Sequence, residues 1–158
     1  MSEDLGRSKY NVDKSLVKRT YNEIVFDSEA EMKYYRDVVL PQVESGSITH
    51  YELQKPYELQ PKFEREGVTV KAIVYVADFY IEYSDGYSEV IDVKGCPDSI
   101  SKLKRKLFWY HYPTTVYRWV CYSKIDGGWC DYEVVDKARK QRKKERKKLK
   151  EEKEKQNG

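Results

Sequence analysis

Residues 68–93 read VTVKAIVYVADFYIEYSDGYSEVIDV, and the reading of this stretch decides the fold. Val68 to Tyr83 is dense in Val, Ile, Tyr and Phe, the residues that suit a pleated, half-buried surface. Ser84-Asp85-Gly86 supplies turn chemistry, and Tyr87 to Val93 returns to strand composition, so the stretch predicts a long antiparallel hairpin. Gly95 and Pro97 punctuate its exit. Asp98 or Ser99 then caps a basic helix to about Tyr110, with Leu103, Leu107 and Tyr110 toward the core. Pro113 ends that helix. Thr115 to Ser123 alternates as a strand, and Asp126-Gly127-Gly128 turns into a last strand, Trp129 to Val135. Upstream, Ser28 caps a helix with Met32, Tyr35 and Val39 on one face, which Pro41 stops or kinks and the Gly46 region ends. Ile48 to Gln54 reads as a short strand, broken off by Pro56 and Pro61. The expected fold is α/β, a central mixed sheet flanked by helices.

The chain has 158 residues, of which 39% are hydrophobic and 36% charged, enough for one domain with its own core. Its net charge of +3 hides a split. Residues 137–158 hold 12 Lys/Arg against 4 Glu, whereas residues 1–136 hold 18 Lys/Arg against 23 Asp/Glu. This predicts an N-terminal arm (1–22), a folded domain (23–136) and a basic tail (137–158). The tail has only Ala138 and Leu149 as apolar residues, so it reads as a solvated, partly frayed helix. It is expected to attract polyanions such as DNA through counterion release, as an auxiliary tether, or, in the plainer reading, to act as a solubility tail. No apolar run approaches the roughly 20 residues of a membrane span, and the N-terminus lacks a signal-peptide core. Cys96, Cys121 and Cys130 form an odd, widely spaced set, which fits a reducing cytosol rather than a disulfide scaffold.

Three residues carry chemistry because of where the hairpin puts them. Asp78 and Asp92 are nearly equidistant from the Asp85-Gly86 turn, so a simple register sets them opposite each other with Cβ atoms about 5 Å apart. Carboxylates at that spacing repel unless a cation or proton lies between them, and Mg²⁺ favours a few carboxylate oxygens with water elsewhere. Lys94 follows Asp92 by two and shares its face. An ammonium there can orient an attacking water. The plainer reading makes Asp78 and Asp92 strand-edge residues and Asp92–Lys94 an ordinary ion pair. Residue patterns alone leave both readings open.

With Asp78, then Asp92-Val93-Lys94 fourteen residues on, and a glutamate in a preceding helix, the chain resembles the PD-(D/E)xK nuclease superfamily. It is most similar to a family of small phage-encoded proteins within it. The matching stretches are Ser8-Lys9-Tyr10-Asn11, Phe26-Asp27-Ser28-x-x-Glu31, the Gln54 strand, Ala77-Asp78-Phe79, Asp92-Val93-Lys94-Gly95 and Lys102-x-Lys104-x-Lys106. The resemblance implies a restriction-endonuclease-like core and a Mg²⁺- or Mn²⁺-dependent phosphodiesterase acting on DNA. Asp78, Asp92 and the Val93 carbonyl would hold the metal, Lys94 would position water, and Glu31 would complete the site. Two positions depart from the pattern: Ala77 replaces proline, and Lys55 separates Gln54 from Pro56 where a Gln-Pro pair is expected. Ser28-x-x-Glu31 is also a capping box, which gives Glu31 a purely structural alternative.

Lys102, Lys104, Arg105 and Lys106 either form a solvated helix face or hold the phosphate backbone beside the site. Most of the 15 tyrosines lie at strand periodicity and read as core and sheet surface. The leading expectation is a phage endonuclease for branched or recombination-intermediate DNA, resembling Holliday-junction resolvases, with a homodimer placing two sites for paired cuts. Its alternatives are an exonuclease or nicking enzyme of the same fold, and a non-catalytic DNA-binding recombination accessory protein.

Overall fold

The computed structural model describes residues 14–158. Most of the expected N-terminal arm, with the Ser8–Asn11 stretch, therefore lies outside the described residues. The chain packs as two compact units that meet in sequence at Ile48/Thr49.

In the first unit, α1 (Lys14–Lys18) leads into a two-stranded ribbon of β1 (Thr20–Tyr21) and β2 (Ile24–Val25). The helix expected after Ser28 is present as α2 (Glu29–Tyr34), a π-helical turn (Tyr35–Val39) and α3 (Leu40–Glu44). Within the π turn, Leu40 N–H donates to the Tyr35 carbonyl, a wider span than the α-helical bond. Pro41 follows at once. It has no N–H to offer the carbonyl four residues back, and the widened turn carries the helix past it. Met32, Tyr35 and Val39 are buried, as their spacing requires.

The second unit is built on a five-stranded mixed sheet in the order β3-β6-β7-β8-β9. Its strands are β3 (Ile48–Gln60), β6 (Ile73–Tyr83), β7 (Ser88–Val93), β8 (Tyr117–Ser123) and β9 (Gly128–Asp131), while β4 (Phe63–Arg65) and β5 (Val68–Val70) form a separate ribbon. Helix α4 (Ser99–His111) links β7 to its parallel neighbour β8, and α5 (Tyr132–Gln156) follows β9. The hairpin is β6–β7, antiparallel with Phe79 opposite Ile91 and Tyr80 opposite Val90. Phe108 of α4 is fully buried against Leu59, Tyr75, Ala77 and Val90, with Tyr57, Tyr112 and Tyr117 around it. Ring centroids there lie 4.7 Å (Phe108–Tyr117) and 5.1 Å (Phe108–Tyr57) apart, so much of the tyrosine content is core.

Four expectations are corrected. Strand β3 continues through Pro56 instead of ending at Gln54; it lies at the sheet edge, where a missing N–H is tolerated. The first hairpin strand breaks at Lys71-Ala72, which frees Val68–Val70 to pair with Phe63–Arg65. The last strand stops at Asp131, and Tyr132–Val135 opens α5, with Val135 fully buried. On α4, Leu103 and Tyr110 are 58% and 81% exposed. The inward face carries Ser101, Lys104, Arg105 and Phe108 instead, about 100° round the helix.

Candidate functional site

The register that pairs Phe79 with Ile91 makes Asp78 and Asp92 the next opposed pair, and there the ladder changes character. Asp78 N–H donates to the Asp92 carboxylate (Oδ1, 3.0 Å), and Val93 N–H donates to the Asp78 carboxylate (Oδ2, 2.8 Å). The two side chains thus take the place of backbone ladder bonds at the point where β6 and β7 part. Beyond it, Lys94 N–H pairs with the Val120 carbonyl of β8. The side-chain parity of β6 also slips: Tyr75 and Tyr80 are five apart yet pack in one cluster. The hairpin register expected from the sequence is therefore present, and the fork lies at its carboxylate pair.

A cleft of about 240 Å³ opens at this fork. Its lining includes Tyr75, Asp92, Lys94, Ser101, Lys104 and Tyr117. Asp92 is 1% exposed, and Lys94 Nζ stands 3.6 Å from its Oδ2. Tyr117 donates to the same oxygen at 3.2 Å, while the Trp119 indole N–H donates to the Tyr117 hydroxyl at 2.7 Å. An indole N–H can only donate, so this chain is polarised in one direction, toward Asp92. Burial first, and then the Asp92 charge, push the Tyr117 hydroxyl well above tyrosine's ordinary range, which keeps it a donor. Tyr75, buried beside Asp92 and Tyr117, is raised for the same reasons, and its hydroxyl makes no hydrogen bond of standard geometry.

At the back of the pair, Gln54 Nε2 lies 3.5 Å from Asp78 Oδ1. Gln54 has φ +53°, a left-handed conformation that costs a non-glycine residue about 1–3 kcal/mol. That kink lets β3 carry Lys55 between Gln54 and Pro56 and still bring the Gln54 amide to Asp78. The ammonium of Lys55 then sits 3.8 Å from the Tyr80 ring centroid.

Lys102 and Lys106 are exposed on α4. Lys104 bonds the Val74 carbonyl at 3.0 Å on the cleft wall. Arg105 differs from the phosphate-contacting role expected of it. Its guanidinium stacks 3.6 Å from the Trp119 ring centroid and bonds Glu133, which makes it a pillar between α4, the sheet and α5. Glu31 belongs to the first unit. It is buried at the start of α2, its N–H donates to Ser28 Oγ, and its carboxylate accepts from that same hydroxyl at 3.1 Å. The capping box is thus closed through the serine hydroxyl rather than its backbone N–H.

Sequence reasoning missed Tyr117, Trp119, Tyr75 and Ser101. The parallel pairing of Val90 with Tyr117 and Asp92 with Trp119 puts the first two on the Asp92 face, and no local pattern announces that pairing.

Among the described residues, no three His, Cys, Asp or Glu side chains gather into a group that could hold a metal ion. Asp78 and Asp92 stand as a pair. An all-oxygen pair of carboxylates suits a hard cation that completes its shell with water and substrate phosphate. No helix is long and apolar enough to cross a membrane among the described residues. A family model described as a protein of unknown function (DUF1064) matches residues 7–126. No curated protein matches the chain.

Proposed function

We propose that this chain, which belongs to the DUF1064 family, is a metal-dependent DNA endonuclease acting on branched or recombination-intermediate DNA. The observation that carries this reading is the fork itself: two opposed carboxylates, of which the buried one, Asp92, lines an open cleft with a lysine ammonium 3.6 Å from it. The resemblance to PD-(D/E)xK nucleases supports it. Asp78, Asp92 and the Val93 carbonyl would hold Mg²⁺ or Mn²⁺, which when bound supplies charge neutralisation at phosphate and acidifies water. Lys94 orients the attacking water and stabilises negative charge as it develops on the phosphate oxygens. Tyr117 fixes the Asp92 carboxylate by a donor that is itself held by Trp119. Lys102, Lys104 and Lys106 hold the phosphate backbone without reading sequence. A homodimer would present two such clefts for paired cuts.

A second reading has its own observation. Both carboxylates already accept backbone N–H bonds, so they also serve as staples of the hairpin, as a non-catalytic DNA-binding accessory protein would need. Incubation with Mg²⁺ and matched linear, single-stranded and four-way-junction DNA separates the two. Mg²⁺-dependent incision of the junction is expected. Binding to all three DNAs with no incision in Mg²⁺ or Mn²⁺ rejects the enzyme.

A further inference from the structure

Helix α5 has a root and a rod, and the two differ in what they touch. The root packs on the sheet. Val135 is fully buried, and Arg142 reaches back to the β8–β9 turn to grip Asp126 with both terminal guanidinium nitrogens, Nη1 at 2.8 Å and Nη2 at 3.1 Å. Past that grip every residue from 143 to 158 is exposed. Residues 143–150 hold six Lys/Arg and one Glu. At 100° per residue, Lys143, Lys144, Arg146, Lys147, Lys148 and Lys150 cover an arc of about 200°, leaving Glu145 and Leu149 the remainder. Only Lys147 and Lys150 have an acidic neighbour, each at 3.9 Å and exposed, in the Lys-before-Glu order that adds little to a helix.

Such a segment contributes no core, and its charge pattern works against helix stability. We propose that residues 143–150 of α5 are a binding surface for duplex nucleic acid, seated along a groove with phosphates on both flanks. A basic arc wider than half the helix fits a groove with two charged walls better than a flat surface. Eight residues rise about 12 Å, and a major groove about 12 Å wide admits a helix. An anionic membrane is disfavoured by the same observations, because an interfacial helix needs an apolar face and this segment has only Leu149. The Arg142–Asp126 grip holds the rod in one direction relative to the sheet, so less freedom is lost on binding than for a loose tail. The choice of nucleic acid rests on the reading of this protein as one that acts on DNA.

The test is equilibrium binding of the full chain to a labelled duplex in EDTA across a salt series. It compares the wild type with a variant carrying Lys143→Gln, Lys144→Gln, Lys147→Gln and Lys148→Gln. Each lost phosphate contact lowers the slope of log K against log salt by about 0.9, so the variant's slope should fall by about 3–4 and its affinity at 0.1 M salt at least 100-fold. Unchanged far-UV circular dichroism confirms that the helix is retained. A slope change below 1 overturns the proposal. So does an equal loss from Lys153→Gln with Lys155→Gln at the acid-balanced tip. Wild-type binding to phosphatidylserine vesicles or to polyglutamate as tight as to duplex also overturns it, by assigning the surface to a membrane or an acidic protein. If the slope falls as expected while the wild type never incises DNA in Mg²⁺, this surface stands and the nuclease reading fails.

Discussion

Two buried carboxylates stand three residues apart on β7 and face opposite sides of the sheet. Glu89 is 3% exposed and is gripped by Arg118 through Nε at 2.8 Å and Nη2 at 3.1 Å, with Tyr83 Oη donating at 2.7 Å. A full positive charge in forked geometry answers its negative charge. Asp92 is 1% exposed, yet its closest donors are a backbone N–H and a tyrosine hydroxyl, both neutral, and its one cation stands back at 3.6 Å. Burial of a carboxylate is costly in either place. On one face of the strand the protein closes the pair; on the other it leaves the charge partly uncompensated beside a cleft. The second arrangement is the one on which the proposed metal site rests.

The contrast predicts different penalties for touching each group. Glu89→Ala leaves the partly exposed Arg118 with only Asp131 and should cost about 1.5–3 kcal/mol in urea unfolding, whereas Asp92→Asn keeps its shape and should cost about 1 kcal/mol. Equal penalties would erase the distinction. Tyr117→Phe sharpens it from the other side. Removal of the donor that fixes Asp92 should raise the Mg²⁺ concentration for half-maximal cleavage about 10–100-fold, with the rate at saturating Mg²⁺ changed much less. An unchanged Mg²⁺ dependence would reduce the Trp119–Tyr117 chain to packing.

The smallest effect concerns a third carboxylate, at the root of α5. The hydrogen bonds from Arg142 hold Asp126 down to about 2, below the ordinary carboxylate range. Because the folded value is the lower one, the stabilisation is complete above about pH 4 and is lost as pH falls toward 2. Hydrogen exchange of α5 amides near Arg142 should therefore accelerate over that window, and Asp126→Asn should remove the pH dependence. Acceleration starting near pH 6 would point to a different group.

The hairpin and its carboxylate pair were legible in the sequence because both depend on local order: strand composition, a Ser-Asp-Gly turn and equal spacing from it. What escaped depends on partners distant in the chain. The inward face of α4 was misread because an arginine counts as a surface residue until Trp119 and Glu133 arrive to stack on it and bond it. The start of α5 was missed because Tyr132–Val135 has strand composition, and its helical state is decided by the burial of Val135 and by the grip of Arg142, about one and three turns on from Tyr132. The intervening Lys55 departs from the expected Gln-Pro pair, and the kink that restores Gln54 to Asp78 was not legible, since a single left-handed residue inside a strand leaves no mark in composition.

The central claim is that Lys94, Asp78 and Asp92 form a working phosphodiesterase site rather than a staple of the hairpin. Single-turnover cleavage of junction DNA by Lys94→Ala beside the wild type tests it most directly, with DNA affinity in Ca²⁺ measured in parallel. The mutation leaves both carboxylates in place, so binding in Ca²⁺ should change little. The cleavage rate should fall about 10²–10⁴-fold, the range for loss of a positioning or acid–base group. Cleavage by Lys94→Ala at the wild-type rate would contradict the account and make the pair a structural device in a DNA-binding protein.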